Sequence, residues 1–289
     1  MLWQHNNVFI MPTMKTMHQY LVVGTPISHS LSPRLHNAVY QQLELSRQLT
    51  AHDPQDAAGF EQLIAHLRTG TYQGFCVTIP YKLQALQSCD KLTPTANRTG
   101  AVNYIRRETD GSLTGDNTDS GGFAEAAKRE LTFDFTDCQA VVCGSGGASR
   151  AIVDALLQEG AAQITLVSRN PDPQTDSSHI KAIDYETLAQ SGTHFDLLVN
   201  TTPLGMADGM NDDLMPVTAD WLTTSTAAVY DAVYRKSGTT PLVAAARNAG
   251  IPAADGRSML IEQAILGMQF WQVTENPATL RSIIDASLI

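Results

Sequence analysis

Lys82 closes the segment Thr78-Ile-Pro-Tyr-Lys82, just beyond a predicted strand and at a predicted helix start. A cation there opposes the helix dipole, so the position suggests proton transfer rather than stability. A second polar cluster, Gly115-Asp-Asn-Thr-Asp119, ends a predicted hairpin at the mouth of another helix. A Lys82–Asp119 pair facing a cleft is able to move a proton while a cofactor moves a hydride, although either segment alone reads better as a polar loop than as a site. The cofactor is suggested by Val141-Val-Cys-Gly-Ser-Gly-Gly-Ala-Ser-Arg150. β-Branched residues end a strand, glycines follow at once, and a helix is predicted from about Ala148 to Gln158. That order lets backbone approach a pyrophosphate and aims a helix N-terminus at it.

The type of dinucleotide should be written at the end of the next strand. An NAD site usually places an acid there to bond the ribose 2′-hydroxyl. This chain has Ser168-Arg169-Asn170, a set suited to a 2′-phosphate, so NADP is the expected cofactor. Arg169 as a plain surface arginine is the bland alternative, and Asp172 offers an NAD ribose a partner. Ser28-His-Ser-Leu-Ser32 precedes Pro33, which predicts a helix with Ser32 as N-cap and a place for a carboxylate among hydroxyls and free N–H groups. His29 and His36 have no ligand spacing with partners, and no metal is expected.

Several elements must position these residues. Strand signals at Tyr20–Val23 and Gly74–Thr78 alternate with helices from Ser32 to about Leu45 and from about Asp56 to Arg68. Val102–Arg107 and Ser112–Gly115 flank Asp110-Gly111, a hairpin signal that makes the first sheet mixed. After a helix from Ser120 to about Glu130, strands are predicted at 140–143, 163–168, 195–200, 227–231 and 250–253, a doubly wound parallel pattern. The segment 171–178 reads as a surface loop. The fold class is therefore α/β with two domains: a mixed-sheet substrate domain over 18–119 and a Rossmann-like NADP domain over 120–256. The terminal helices, from about 257 to 289, are free to return to the first.

A formal net charge of -10 argues against nucleic acid or an anionic membrane as partner, and leaves small molecules. The four cysteines have no Cys-x-x-Cys spacing and read as reduced thiols. The first 19 residues lack the apolar core of a secretory signal and read as a loose leader, so a cytoplasmic protein, monomer or homodimer, is expected.

Together these segments resemble the shikimate dehydrogenase family, NADP-dependent enzymes that reduce 3-dehydroshikimate to shikimate in aromatic amino-acid biosynthesis. The likeness runs from Tyr20 to Leu280 through Gly24-Thr-Pro-Ile-Ser-His-Ser-Leu-Ser-Pro33, Val77-Thr-Ile-Pro-Tyr-Lys82, Gly100-Ala-Val-Asn103 and Gly115-Asp-Asn-Thr-Asp119. It continues through Gly144-Ser-Gly-Gly-Ala-Ser-Arg150, Asn200-Thr-Thr-Pro203, Tyr230-Asp-Ala-Val-Tyr234 and Asp255-Gly256 leading to Gln263. The resemblance implies that Ser30 and Ser32 hold the substrate carboxylate, and that Thr78, Asn103 and Gln263 bond the ring hydroxyls with Tyr234 nearby. Lys82 is implied as the acid for the C3 carbonyl oxygen, with Asp119 as its orienting partner. Gly144, Ser145, Gly146, Gly147 and Ala148 match the pyrophosphate turn, while Ser168, Arg169 and Asn170 match the 2′-phosphate site. Ala232, Gly256 and Met259 match the nicotinamide half. Cys76 stands where the family commonly has Asn, Ser168 replaces a usual Asn, and Pro173 falls where a second phosphate-binding Arg is frequent. A relaxed quinate/shikimate dehydrogenase using NAD or NADP, and a silent NADP-binding sensor, are the alternatives. The retained Lys82 and Asp119 speak against the sensor.

Overall fold

A computed structural model describes residues 16–28, 30–206, 211–235 and 238–288. The leader up to residue 15 and His29, both read above, lie outside the described residues. The first half runs β1 (His18–Val23), α1 (Ser32–Gln42), β2 (Arg47–His52), α2 (Ala57–Arg68), β3 (Gly74–Val77), α3 (Lys82–Ser88), β4 (Lys91–Leu92), α4 (Pro94–Thr99), β5 (Tyr104–Arg107) and β6 (Leu113–Asp116). The helix α5 (Asp119–Leu131) leads into β7 (Gln139–Cys143), α6 (Gly147–Gln158), β8 (Gln163–Val167), β9 (Ile180–Ile183), α7 (Tyr185–Gln190) and β10 (Leu197–Asn200). The chain closes with α8 (Ala219–Ser225), β11 (Val229–Asp231), α9 (Pro241–Asn248), β12 (Ala253–Asp255), α10 (Arg257–Phe270) and α11 (Pro277–Leu288).

Two six-stranded sheets result, and the α/β class with one mixed and one parallel sheet is as expected. The first has the order β2-β1-β3-β5-β6-β4, with β5 antiparallel to both β3 and β6. The Asp110-Gly111 turn closes that hairpin: Gly111 has φ +87° and Ser112 N–H donates to Asp110 Oδ1 at 2.9 Å. The second, β12-β11-β10-β7-β8-β9, is parallel throughout. Its order reverses at β7, so the crevice beyond the ends of β7 and β10 is the place where such sheets bind ligands.

Helices cover both faces of both sheets. Leu35 and Val39 of α1 pack with Ile265 of α10 and with Leu280 and Ile284 of α11 on one face of the first sheet, and Phe60 and Leu67 of α2 cover the other. Phe123 of α5 and Ile152 of α6 cover one face of the second sheet, while Leu222 of α8 and Leu242 of α9 cover the reverse. Met259 of α10 joins that second core and Ile261 the first, so α10 lies between the two layers. Among the described residues no helix is long and apolar enough to cross a membrane.

The departures from expectation are local. Strands β2 and β9, unpredicted, are sheet edges; only Leu49 of β2 is buried and no residue of β9 is fully so, which leaves no apolar run to read. The unpredicted β4 and α4 are too short for periodicity to show. The last strand starts at Ala253 rather than Gly250, because Gly250, at φ +77°, is spent closing α9 with its N–H on Arg247 O. Ser32 is not the N-cap of α1. Leu31 already has helical angles (φ -85°, ψ -11°), which draws Ser32 into the first turn, and Ser30 Oγ instead accepts the Ser32 N–H at 3.3 Å.

Candidate active site

Strand β3 and the segment before β5 bring Lys82 and Asp119 together. Val77 N–H donates to Asn103 O at 2.7 Å and Val102 N–H to Lys82 O at 3.0 Å, fixing the start of α3 against the start of β5. Lys82 is the first residue of α3 and Asp119 the first of α5, and the Lys82 ammonium donates to Asp119 Oδ2. Both side chains are largely buried, at 13 % and 9 % exposed, so water screens the pair little. The other carboxylate oxygen, Oδ1, accepts from Asn103 Nδ2 at 2.9 Å, and the Asp119 N–H donates to Asn117 Oδ1 at 3.1 Å. An acceptor-only carboxylate is thus held by Asn103 on one oxygen and by the Lys82 cation on the other, with the Asp119 backbone N–H fixed by Asn117.

Asn103 is more committed than the resemblance implied. Its amide nitrogen also donates to Thr118 Oγ1 at 3.0 Å, and its Oδ1 accepts the Thr118 N–H at 2.8 Å. Both amide hydrogens are used, which leaves a ligand only the second lone pair of the carbonyl oxygen. Gln263 is buried on α10 and donates to Leu260 O at 2.8 Å. It lies against Gly122, where a Cβ would fall 2.8 Å from the Gln263 Cβ, one turn beyond Asp119. Thr78 follows β3 directly, with its methyl over Gly24 and its N–H on Val23 O. Tyr234 is half-buried on the loop after β11, and burial raises its phenol.

Ser32 belongs to a buried chain that sequence reading missed. His36 Nδ1 bonds the Ser32 carbonyl at 2.9 Å and His36 Nε2 bonds Tyr104 Oη at 3.1 Å. Burial holds the imidazole near 4, so it is neutral and donates from Nδ1 while accepting from Tyr104. Cys76, the register partner of Tyr104 across β3 and β5, lies under the same group, and burial pushes its thiol up to about 12. The thiol is therefore inert, and the cysteine acts as a small apolar floor. The other cysteines are free as well. Among the described residues no group of three or more His, Cys, Asp or Glu is placed to hold a metal ion.

The turn between β7 and α6 forms the other wall. Gly144 has φ +117°, and a Cβ there would strike Thr201 Oγ1 at 2.3 Å, so both conformation and space demand glycine. Gly146 caps α6 without any side-chain bond, and a Cβ there would meet nothing within 4 Å. Ser145 is exposed, and Ala148 lies in the first turn of α6. Free first-turn N–H groups facing open space are a ready anion site. Gly147 brings this turn to the Lys82–Asp119 pair: a Cβ there would lie 3.3 Å from Lys82 Cδ. Ser168 is buried at the end of β8, with Arg169 and Asn170 exposed beyond it. Asp172 accepts the Gln174 N–H at 3.0 Å and caps a short 3-10 turn begun by Pro173. Ala232 and Gly256 touch, since a Cβ on Gly256 would fall 2.2 Å from Ala232 O, and Met259 is buried beneath them. These residues therefore fit a dinucleotide: an uncapped helix end, a glycine cradle and an unopposed guanidinium line the C-terminal edge of one parallel sheet.

The chain is similar to known proteins over most of its length. A family model described as the shikimate dehydrogenase substrate binding domain matches residues 22–105. The NADP(+) shikimate dehydrogenase of Rubrobacter xylanophilus is 35 % identical over 260 residues, covering 86 % of this chain and 89 % of that protein. That of Mesorhizobium japonicum is 38 % identical over 292 residues, covering 93 % and 96 %. The crystal structure of the Thermus thermophilus shikimate 5-dehydrogenase in complex with NADP(H) and shikimate superposes with a TM-score of 0.78 at 29 % identity, covering 94 % of this chain and 100 % of that one. With near full-length relatives above 30 % identity and the two-sheet fold in common, this chain belongs to the shikimate dehydrogenase family.

Proposed function

We propose that the chain is an NADP-dependent shikimate dehydrogenase, interconverting shikimate and 3-dehydroshikimate. The observation that carries this reading is the Lys82–Asp119 ion pair pressed against Gly147 of the dinucleotide turn, which sets proton and hydride chemistry side by side. Bound NADP supplies the hydride acceptor, or donor in the reverse direction. The chain's own residues do the rest. Lys82 Nζ takes the proton of the C3 hydroxyl in oxidation and returns it to the carbonyl oxygen in reduction. Asp119 holds that ammonium in line, and Asn103 holds Asp119. Ser30 and Ser32 receive the carboxylate, with Thr78, Gln263 and Tyr234 around the ring. The α6 N-terminus takes the pyrophosphate, and Ala232, Gly256 and Met259 border the nicotinamide half.

Arg169, with Ser168 and Asn170, is assigned the 2′-phosphate. No acid ends β8, and Asp172, the nearest one, is occupied in capping. A charge-assisted bond contributes about 1.5–3 kcal/mol, so Arg169→Ala is expected to raise the KM for NADP by about tenfold to a hundredfold. The KM for NAD should scarcely move, and equal effects on both would make Arg169 a structural arginine. The experiment that tests the whole reading is the initial rate with shikimate and with quinate, each offered NADP and NAD. Fast turnover confined to shikimate and NADP supports it. Comparable rates with quinate or NAD would move the chain to a relaxed quinate/shikimate enzyme, since a pocket rejects an added hydroxyl by only about a hundredfold. Dinucleotide binding without turnover would leave a sensor.

A further inference from the structure

Asp154 stands on the buried face of α6 between Ile152 and Leu156, both fully buried, and is itself only 6 % exposed. A carboxylate at such a position is strongly disfavoured unless paired and hydrogen-bonded. Its partners come from α4, beside the first sheet, and from the first turn of α5, next to Asp119. Arg98 of α4 donates from Nε to Oδ1 at 2.6 Å and from Nη2 to Oδ2 at 3.2 Å, a fork that fixes direction as well as distance. Ser120 Oγ of α5 adds a third bond, to Oδ2 at 2.8 Å.

The places these partners occupy are informative. Ser120 directly follows Asp119. Arg98 leads through Gly100 to Val102, bonded to the Lys82 carbonyl, and to Asn103, bonded to Asp119. Two helical turns up α6 from Asp154 lies Gly147, the residue in contact with Lys82. One carboxylate in the dinucleotide half thus grips both segments that set the acid–base pair. The Arg98 side chain is 40 % exposed and that of Asp154 6 %. A pair so placed is a poor stabiliser beside a packed apolar side chain, so cohesion alone does not call for it, and fixing one arrangement is the better-attested use of such a pair.

We propose that Asp154, held by Arg98 and Ser120, is a positioning residue that sets the dinucleotide turn against the Lys82–Asp119 pair, an inference that rests on the reaction proposed above. Misplacement of reacting groups by about 1 Å costs on the order of a hundredfold in rate. Asp154→Asn, which keeps the size but loses the charge beneath Arg98, is therefore expected to lower kcat by about 10- to 100-fold. The KM values for shikimate and NADP should stay near those of the parent, because neither Asp154 nor Arg98 is among the residues proposed to touch either ligand. Arg98→Lys, which keeps the charge and loses the fork, should show a smaller fall of the same kind.

A role in stability alone would lower Tm and leave kcat within twofold in the folded variant, and that result overturns the proposal. A second measurement does not need turnover. Ketone-directed spin labels at exposed Glu61 and Lys181, one on each half, report the distance between the halves with NADP bound. A single narrow distribution in the parent that broadens in Asp154→Asn supports the clasp, and an unchanged one overturns it. If the parent itself fails to oxidise shikimate with NADP, the proposed reaction falls and this distance alone decides the clasp.

Discussion

Lys82→Ala is expected to lower turnover by about 10²–10⁴-fold, the range for removing a general acid or base. The ammonium is the only proton-bearing cation that the described residues bond to Asp119, and it points from a carboxylate whose other oxygen is held by Asn103, while Asn117 fixes the Asp119 backbone N–H. The lysine stem also packs on Gly147, so alanine removes a little of the wall along with the amine. Lys82→Met separates the two effects by restoring the stem without the charge. Both variants should bind NADP normally, because the turn proposed to take the pyrophosphate offers backbone N–H groups rather than side chains. Single-turnover rates at saturating shikimate and NADP provide the measurement. Turnover within threefold of the parent in Lys82→Met would remove the lysine from the chemistry and with it the acid–base reading of the pair.

That pair was legible in the sequence because both residues open helices at the ends of strands, where short contiguous motifs report position directly. The glycine turn between β7 and α6 was legible for the same reason, with strand, glycines and helix following one another without interruption. Contacts between distant segments were not. Asn103 reads as a ligand contact, yet its amide hydrogens are used on Asp119 and Thr118, bonds that exist only once β5 and α5 have been brought together. Asp154 carries a faint signal, an acid within the apolar run from Ile152 to Leu156, but nothing local names Arg98, 56 residues away, as its partner. His36 drew attention as a metal ligand by residue type; its neutral form and its two bonds, to Ser32 and Tyr104, follow from burial that the sequence shows only as a helical phase. The edge strands β2 and β9 stayed hidden because an edge buries too little to impose a pattern.

Burial also gives the two halves opposite responses to pH. His36, with no exposed surface, titrates near 4 in the folded chain against 6.5 unfolded, because burial opposes the charge more than the Ser32 carbonyl supports it. Its folded pKa is depressed, so its contribution is complete above pH 6.5 and is lost as pH falls toward 4, by about 3 kcal/mol. Asp231, equally buried at the end of β11, is pushed up from 3.8 to about 6 by burial, against the pull of Thr240, the Val233 N–H and the Asn200 amide. Its folded pKa is raised, so its contribution is complete below pH 3.8 and is lost as pH rises through 6, again by about 3 kcal/mol. Between pH 4 and 6.5 the two nearly cancel, and neither is visible in the parent. Asp231→Asn should uncover the histidine: measured by urea unfolding, its stability relative to the parent should rise by about 3 kcal/mol from pH 4 to 6.5. His36→Asn should do the reverse, being at its best relative to the parent at pH 4 and losing about 3 kcal/mol of that standing by pH 6.5. A difference from the parent that stays flat across this window, in either variant, would mean that the group titrates alike in the folded and unfolded chain. It would also mean that its burial is relieved by water or by a partner reaching it in solution. The two variants read separate cores, one under the first sheet around Ser32 and Tyr104 and one at the end of β11, so a slope in one and not the other would locate which half admits water.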